Sequence, residues 1–168
     1  MLASLLRTEV RDWLQKSISS ELYASQLYKS LANQLQRKGL FNIQKFFLGE
    51  SSDELTHYQI LVDYMNDRND CADLPMIPPI ADRIIDAGDA LRIAYETELS
   101  LLNQYVEFYE MCEDEQMEDC TTAQFILQFI EIQRKAVGEY GDLISYYNSI
   151  EINKNVELDK FFHEKNEA

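Results

Sequence analysis

Apolar residues recur along this chain at alternating three- and four-residue steps through four long stretches. Short segments of strict alternation, the mark of a half-buried strand, are missing. The first predicted helix runs from about Ser4 to Arg37 and stops at Gly39, a natural C-cap. The second covers about Asn42 to Asn69, the third about Asp82 to Cys112 and the fourth about Thr121 to Ile150. A short amphipathic fifth helix is predicted over about 156–164, with Leu158, Phe161 and Phe162 on one side. Between the second and third helices, Pro75, Pro78 and Pro79 forbid continued helix. Tight links within the first and second pairs make antiparallel hairpins, and the long link between them can cross the length of a bundle. The expected fold is all-α, a four-helix bundle of two antiparallel hairpins with a long crossover between helices two and three.

The inward steps can be followed residue by residue. The first helix offers Leu14, Ile18, Glu21, Ser25, Tyr28, Ala32 and Leu35, and the second Ile43, Phe47, Glu50, Glu54, His57, Leu61 and Tyr64. The third offers Ile84, Gly88, Leu91, Tyr95, Glu98, Leu102 and Tyr105, and the fourth Ile126, Phe129, Gln133, Ala136, Tyr140, Leu143 and Tyr147. These seams are apolar or aromatic except near mid-helix, where Glu21, Glu50, Glu54, His57, Glu98 and Gln133 interrupt them. Glu21 and Glu54 lie at similar distances on either side of Gly39, and Glu98 and Gln133 on either side of Met117. At about 1.5 Å per residue both pairs sit roughly 25 Å from their own turns. All four positions can therefore share one mid-bundle layer.

A lone mid-helix glutamate is ordinarily a solvated one, and a lone histidine is ordinarily no ligand. The conjunction on inward steps at one level is what needs a partner, because unpaired buried charge is prohibitively costly. Glu54-Leu-Thr-His57 presents a carboxylate and an imidazole from one helix face. Two divalent cations would bring four positive charges against the three of Glu21, Glu54 and Glu98. Oxygen-rich donors with one imidazole suit iron or manganese rather than structural zinc.

Composition narrows the picture. The net charge of −15 disfavours nucleic acid and anionic membranes and suits cations. Gly is 5 and Pro 3, which favours long helices. The length of 168 residues suits a single domain, with the bundle at about 4–150. Three cysteines without a Cys-x-x-Cys pattern point to a reducing compartment. No apolar run reaches the roughly 18 residues of a membrane span. The expected location is the cytoplasm, or an organelle for a trimmed form.

Glu21-Leu-Tyr-Ala-Ser-Gln-Leu-Tyr28, Asp53-Glu54-Leu-Thr-His57 and Leu74-Pro-Met-Ile-Pro78 resemble the ferritin family over nearly the whole chain, above all its non-haem bacterial-type and eukaryotic H-type members. Ala94-Tyr-Glu-Thr-Glu98 and Phe129-Ile-Glu-Ile-Gln133 fall where that family carries its third- and fourth-helix ligands. The resemblance implies a ferritin-like bundle with a ferroxidase centre taking two irons per subunit. Glu21, Glu54 and His57 would hold the first iron. Glu54 would bridge to the second, which Glu98 also binds and Gln133 lines. Tyr28 matches the family's tyrosine beside the centre, a hydrogen-bond or electron donor. The resemblance also implies a homo-oligomeric hollow shell of twenty-four subunits, iron(II) as substrate, and dioxygen or hydrogen peroxide as oxidant. Acidic residues of the Glu113–Asp119 turn are candidates for an uptake channel or a nucleation surface, or simply a solvated loop.

Departures from the family pattern refine this. Asp53 stands where the family usually has Glu, and Glu50 is an extra inward carboxylate, so both are accessory metal candidates. Ile132 and Ala136 replace carboxylates that some bacterial members use for a third iron. Leu55 replaces the methionine of haem-binding members, so haem is not expected. The family's channel positions hold Ala123 and Ile126. With Gln133-x-x-Ala136 in place of a second Glu-x-x-His, the two irons are expected to be bound unequally. The expected activity is iron oxidation and storage. The competing readings are a non-storage di-iron oxidoreductase or peroxide scavenger on the same fold, and a helical scaffold with merely hydrated carboxylates.

Overall fold

The computed structural model of the protein describes residues 2–167. Five helices follow in order: α1 Thr8–Arg37, α2 Phe41–Asp67, α3 Ala87–Glu113, α4 Cys120–Ser149 and α5 Lys154–Glu167. α1 packs along α2 and α3 along α4, α1 also contacts α3, and α5 lies against α2 and the start of α3. Side-chain pairs give the register. Tyr28 meets Glu98 while Tyr105 meets Glu21, which only antiparallel α1 and α3 allow. The two hairpin turns therefore sit at opposite ends, and the crossover of residues 68–86 runs the length of the bundle. Two glutamines of α1 pin it. Gln15 exchanges hydrogen bonds with the backbone of Asp73, and Gln34 does so with Asp82 and Ile84.

Helix ends follow local chemistry. α1 closes with Gly39 at φ 75°, where Gly39 N–H reaches Gln36 and Leu40 N–H reaches Leu35, a Schellman arrangement that favours glycine. α1 begins at Thr8, later than the expected Ser4. The preceding residues are drawn off to the end of α2, where Leu5 N–H donates to Arg68 and Ser4 Oγ donates to Asp70 at 2.7 Å. α3 likewise starts at Ala87 instead of Asp82, because Asp86 and Asp89 form a capping box there. α2 has Leu40 at its N-cap, which offers no side-chain acceptor. Asp159 of α5 supplies one, its carboxylate accepting from Asn42 N–H and Ile43 N–H at 2.9 Å each. Asn155 of α5 accepts from Ala87 N–H at 3.0 Å. The fifth helix thus satisfies the orphan donors of two others.

The predicted seams are the core, with small shifts. Leu101 is buried where Leu102 was expected and Tyr95 is half-buried, since α3 turns slightly relative to a strict seven-residue repeat. α1 and α2 approach closely at Ser25 and Ser51, whose hydroxyls each donate at 2.7 Å to the other's carbonyl. α3 and α4 approach at Gly88, where an added Cβ would lie 2.4 Å from the Tyr147 ring.

Asp159→Ala should lower stability by about 1–2 kcal/mol, read as a fall in the denaturation midpoint at unchanged m-value. Gly88→Ala should cost about 1–3 kcal/mol, because the buried Tyr147 ring must be displaced.

Candidate metal centre

Glu21 at the middle of α1 and the Glu54/His57 pair of α2 converge between the two helices. One donor atom from each lies within 4.8 Å of the others. His57 turns Nδ1 toward both carboxylates, at 3.4 Å from Glu54 Oε2 and 3.6 Å from Glu21 Oε2. Its ring is held edge-on by Phe129 of α4, with centroids 6.1 Å apart. Glu21 and Glu54 are almost wholly enclosed, and His57 is half-buried. Among the described residues, the ion pairs of this cluster involve no cationic side chain other than His57. Two carboxylates and one imidazole at this spacing are a donor set for a divalent cation such as iron or manganese.

Glu98 faces the cluster from α3, close enough for its charge to raise the affinity of both Glu54 and His57 for protons. Its Oε1 accepts from the Tyr28 hydroxyl, and Glu21 Oε1 accepts from the Tyr105 hydroxyl. Among the described residues, the remaining oxygens, Glu21 Oε2 and Glu98 Oε2, are buried without a hydrogen-bond partner, as are both polar atoms of Gln133. Orphans of this kind cost about 1–3 kcal/mol each unless something binds them.

The electrostatics express the same strain. Burial pushes Glu54 well above the ordinary carboxylate range, and the adjacent Glu21 adds to the effect. Burial acts on Glu21 as well, but its interactions with the adjacent Glu54 and His57, with the hydrogen bond from Tyr105, outweigh it and hold its pKa down. Burial lowers the His57 pKa, yet Glu21 more than compensates and leaves it raised. Burial lifts Glu98 to about 7, against the opposing hydrogen bond from Tyr28. A divalent cation held by these carboxylates would take the place of protons and offset the repulsion.

The other residues singled out from the sequence fall in different places. Glu50 is partly buried and accepts from the Tyr140 hydroxyl at 2.8 Å, while Asp53 is exposed. Neither joins the close cluster of Glu21, Glu54 and His57. Leu55 is exposed, Ala123 and Ile126 are buried, and Ile132 and Ala136 are half-buried. In the acidic turn, Asp119 caps α4 by accepting from Thr122 N–H and Asp114 accepts from Gln116 N–H, so two of its carboxylates serve the turn itself. The sequence pattern places Tyr105 and Tyr140 on inward steps as core aromatics. Their hydroxyls in fact reach Glu21 and Glu50. The signal lay in the register, since an inward tyrosine facing a carboxylate on the neighbouring helix has an obvious acceptor.

The metal-free protein should lose stability as pH rises. Glu98 binds its proton more tightly folded than unfolded, so its contribution is complete below about 4.5 and gone above about 7. That difference corresponds to about 3 kcal/mol. Thermal unfolding in chelator should show the midpoint falling over this window, with a shallower fall in Glu98→Gln.

A model of the ferritin family, described as the ferritin-like domain, matches residues 11–150. Soma ferritin of Lymnaea stagnalis is 30% identical over 136 residues, spanning 79% of this chain and 77% of that protein. Ferritin BfrB of Mycolicibacterium smegmatis is 28% identical over 139 residues, spanning 83% and 76% respectively. An open pore ferritin from the archaeon Archaeoglobus fulgidus superposes with a TM-score of 0.88 over 95% of this chain and 98% of that one. At 21% identity this last likeness bears on the fold alone. With the family model spanning the bundle and a curated relative at this identity, the chain belongs to the ferritin family.

Proposed function

We propose that the protein oxidises iron(II) with dioxygen or hydrogen peroxide at the mid-bundle centre and stores the iron(III) as mineral. Residues 1–168 would act as one ferritin-like unit of a homo-oligomeric, twenty-four-subunit hollow shell. The observation that carries the reading is the buried Glu21, Glu54 and His57 cluster in a ferritin fold. The ferritins among its relatives support storage as the purpose.

Iron(II) is the substrate. In the proposed arrangement Glu21, Glu54 and His57 receive the first ion. Glu54 bridges to a second, which Glu98 binds through its free Oε2. Gln133, fully buried with both polar atoms unpartnered, supports this second position as a hydrogen-bonding group for bound water or oxidant. Two irons each give one electron. Dioxygen and two protons then become hydrogen peroxide, or peroxide and two protons become two waters. His57 on one side and Gln133 on the other make the two positions unequal. Glu50, already engaged by Tyr140, and the exposed Asp53 remain candidate accessory metal ligands.

Glu54→Ala should slow aerobic iron(II) oxidation by at least about 100-fold in stopped-flow absorbance, because it removes a donor to both ions. An unchanged rate would remove the site assignment. Gln133→Ala should weaken mainly the second equivalent in an iron(II) titration. A large particle accumulating many irons per subunit supports storage, whereas a small oligomer turning over with only two irons bound would assign the protein to non-storage di-iron oxidoreductases.

A further inference from the structure

Glu21 is followed seven residues later by Tyr28, and Glu98 seven residues later by Tyr105. Because α1 and α3 run antiparallel, the two pairs interlock. Tyr28 donates to Glu98 Oε1, and Tyr105 donates to Glu21 Oε1. Both tyrosines and both glutamates are essentially excluded from solvent. The result is a local two-fold arrangement in which each buried glutamate has one oxygen tied to a phenol and the other, Oε2, left without a hydrogen-bond partner.

Tyr105 is itself fixed. Its ring stacks on Phe129 at 4.9 Å with planes 17° apart, and the same Phe129 stands edge-on to His57. The hydroxyl is therefore aimed by α4, the carboxylate by α1, and the imidazole by both α2 and α4. The phenol thus engages Glu21 Oε1, and Oε2 is the oxygen turned into the cluster, 3.6 Å from His57 Nδ1.

From this we infer that Tyr105 is a positioning residue for the metal centre, restricting Glu21 to single-oxygen coordination as Tyr28 restricts Glu98. The inference rests on the metal centre proposed above. It adds that the terminal carboxylates of the two positions are matched in geometry, so the inequality between positions comes from α2 and α4, through His57 and Gln133. Freed of the phenol, Glu21 would close onto the first cation with both oxygens and change its coordination number.

Cobalt(II) binding to the assembled protein reads coordination geometry without turnover. Tyr105→Phe keeps the stacked ring and removes only the donor. It should change the visible ligand-field spectrum of the first cobalt equivalent and shift its affinity several-fold. Tyr28→Phe should leave that first spectrum as in the unsubstituted protein and alter the second. A Tyr105→Phe protein with the unsubstituted spectrum and affinity at the first equivalent overturns the inference. Should that variant fail to assemble, 3-fluorotyrosine at position 105, nearly unchanged in size but a stronger donor, should lower first-equivalent affinity, and no change would overturn the inference equally. Glu54→Ala separates the two readings: if it binds cobalt like the unsubstituted protein, the metal centre itself is misassigned, whatever Tyr105 does.

Discussion

Glu21, Glu54 and Glu98 are enclosed at the middle of the bundle, and the rest of the structure is organised around that cost. Protons alone leave the layer frustrated. Burial pushes Glu54 and Glu98 up, the neighbouring groups hold Glu21 down, and among the described residues the polar atoms of Gln133 have no hydrogen-bond partner. Replacing these groups by leucines would satisfy the packing at lower cost. Their presence is intelligible when a cation is what they receive, and the cluster of two carboxylates and an imidazole within 4.8 Å is the place where it fits.

The frame that holds this layer is rigid for reasons away from it. Gly88 and the Ser25–Ser51 pair let helices approach closely within each hairpin. Gln15 and Gln34 hold the crossover along α1, and α5 caps α2 and α3 through Asp159 and Asn155. The mid-bundle side chains are thus carried on long helices that cannot slide, which is the condition for holding donor atoms at metal-binding distances. Tyrosines then act inside the layer. Tyr28, Tyr105 and Tyr140 each give a hydroxyl to one of Glu98, Glu21 and Glu50, tying down one oxygen apiece.

Much of this is legible in the sequence because a bundle has simple geometry. Steps of three and four residues place Glu21, Glu54, His57, Glu98 and Gln133 inward, and distance from Gly39 sets Glu21 level with Glu54. Composition could not tell where helices begin when distant partners decide it. Ser4 and Leu5 bind the end of α2, and α2 borrows its cap from Asp159, more than a hundred residues away. The roles of Tyr105 and Tyr140 were hidden for a related reason. A tyrosine on an inward step reads as bulk until the helix register reveals what its hydroxyl meets. Asp53 illustrates the opposite limit: it adjoins the motif in sequence, yet the helical turn carries it out to solvent.

Crystals of the protein soaked in iron(II), with anomalous differences collected at the iron edge, test the central claim directly. Two peaks per subunit are predicted in the middle of the bundle. One should contact Glu21, Glu54 and His57, and the other Glu54 and Glu98 with Gln133 nearby. Iron found only on exposed acidic residues such as those of the 113–119 turn, with no peak between the helices, would contradict the account.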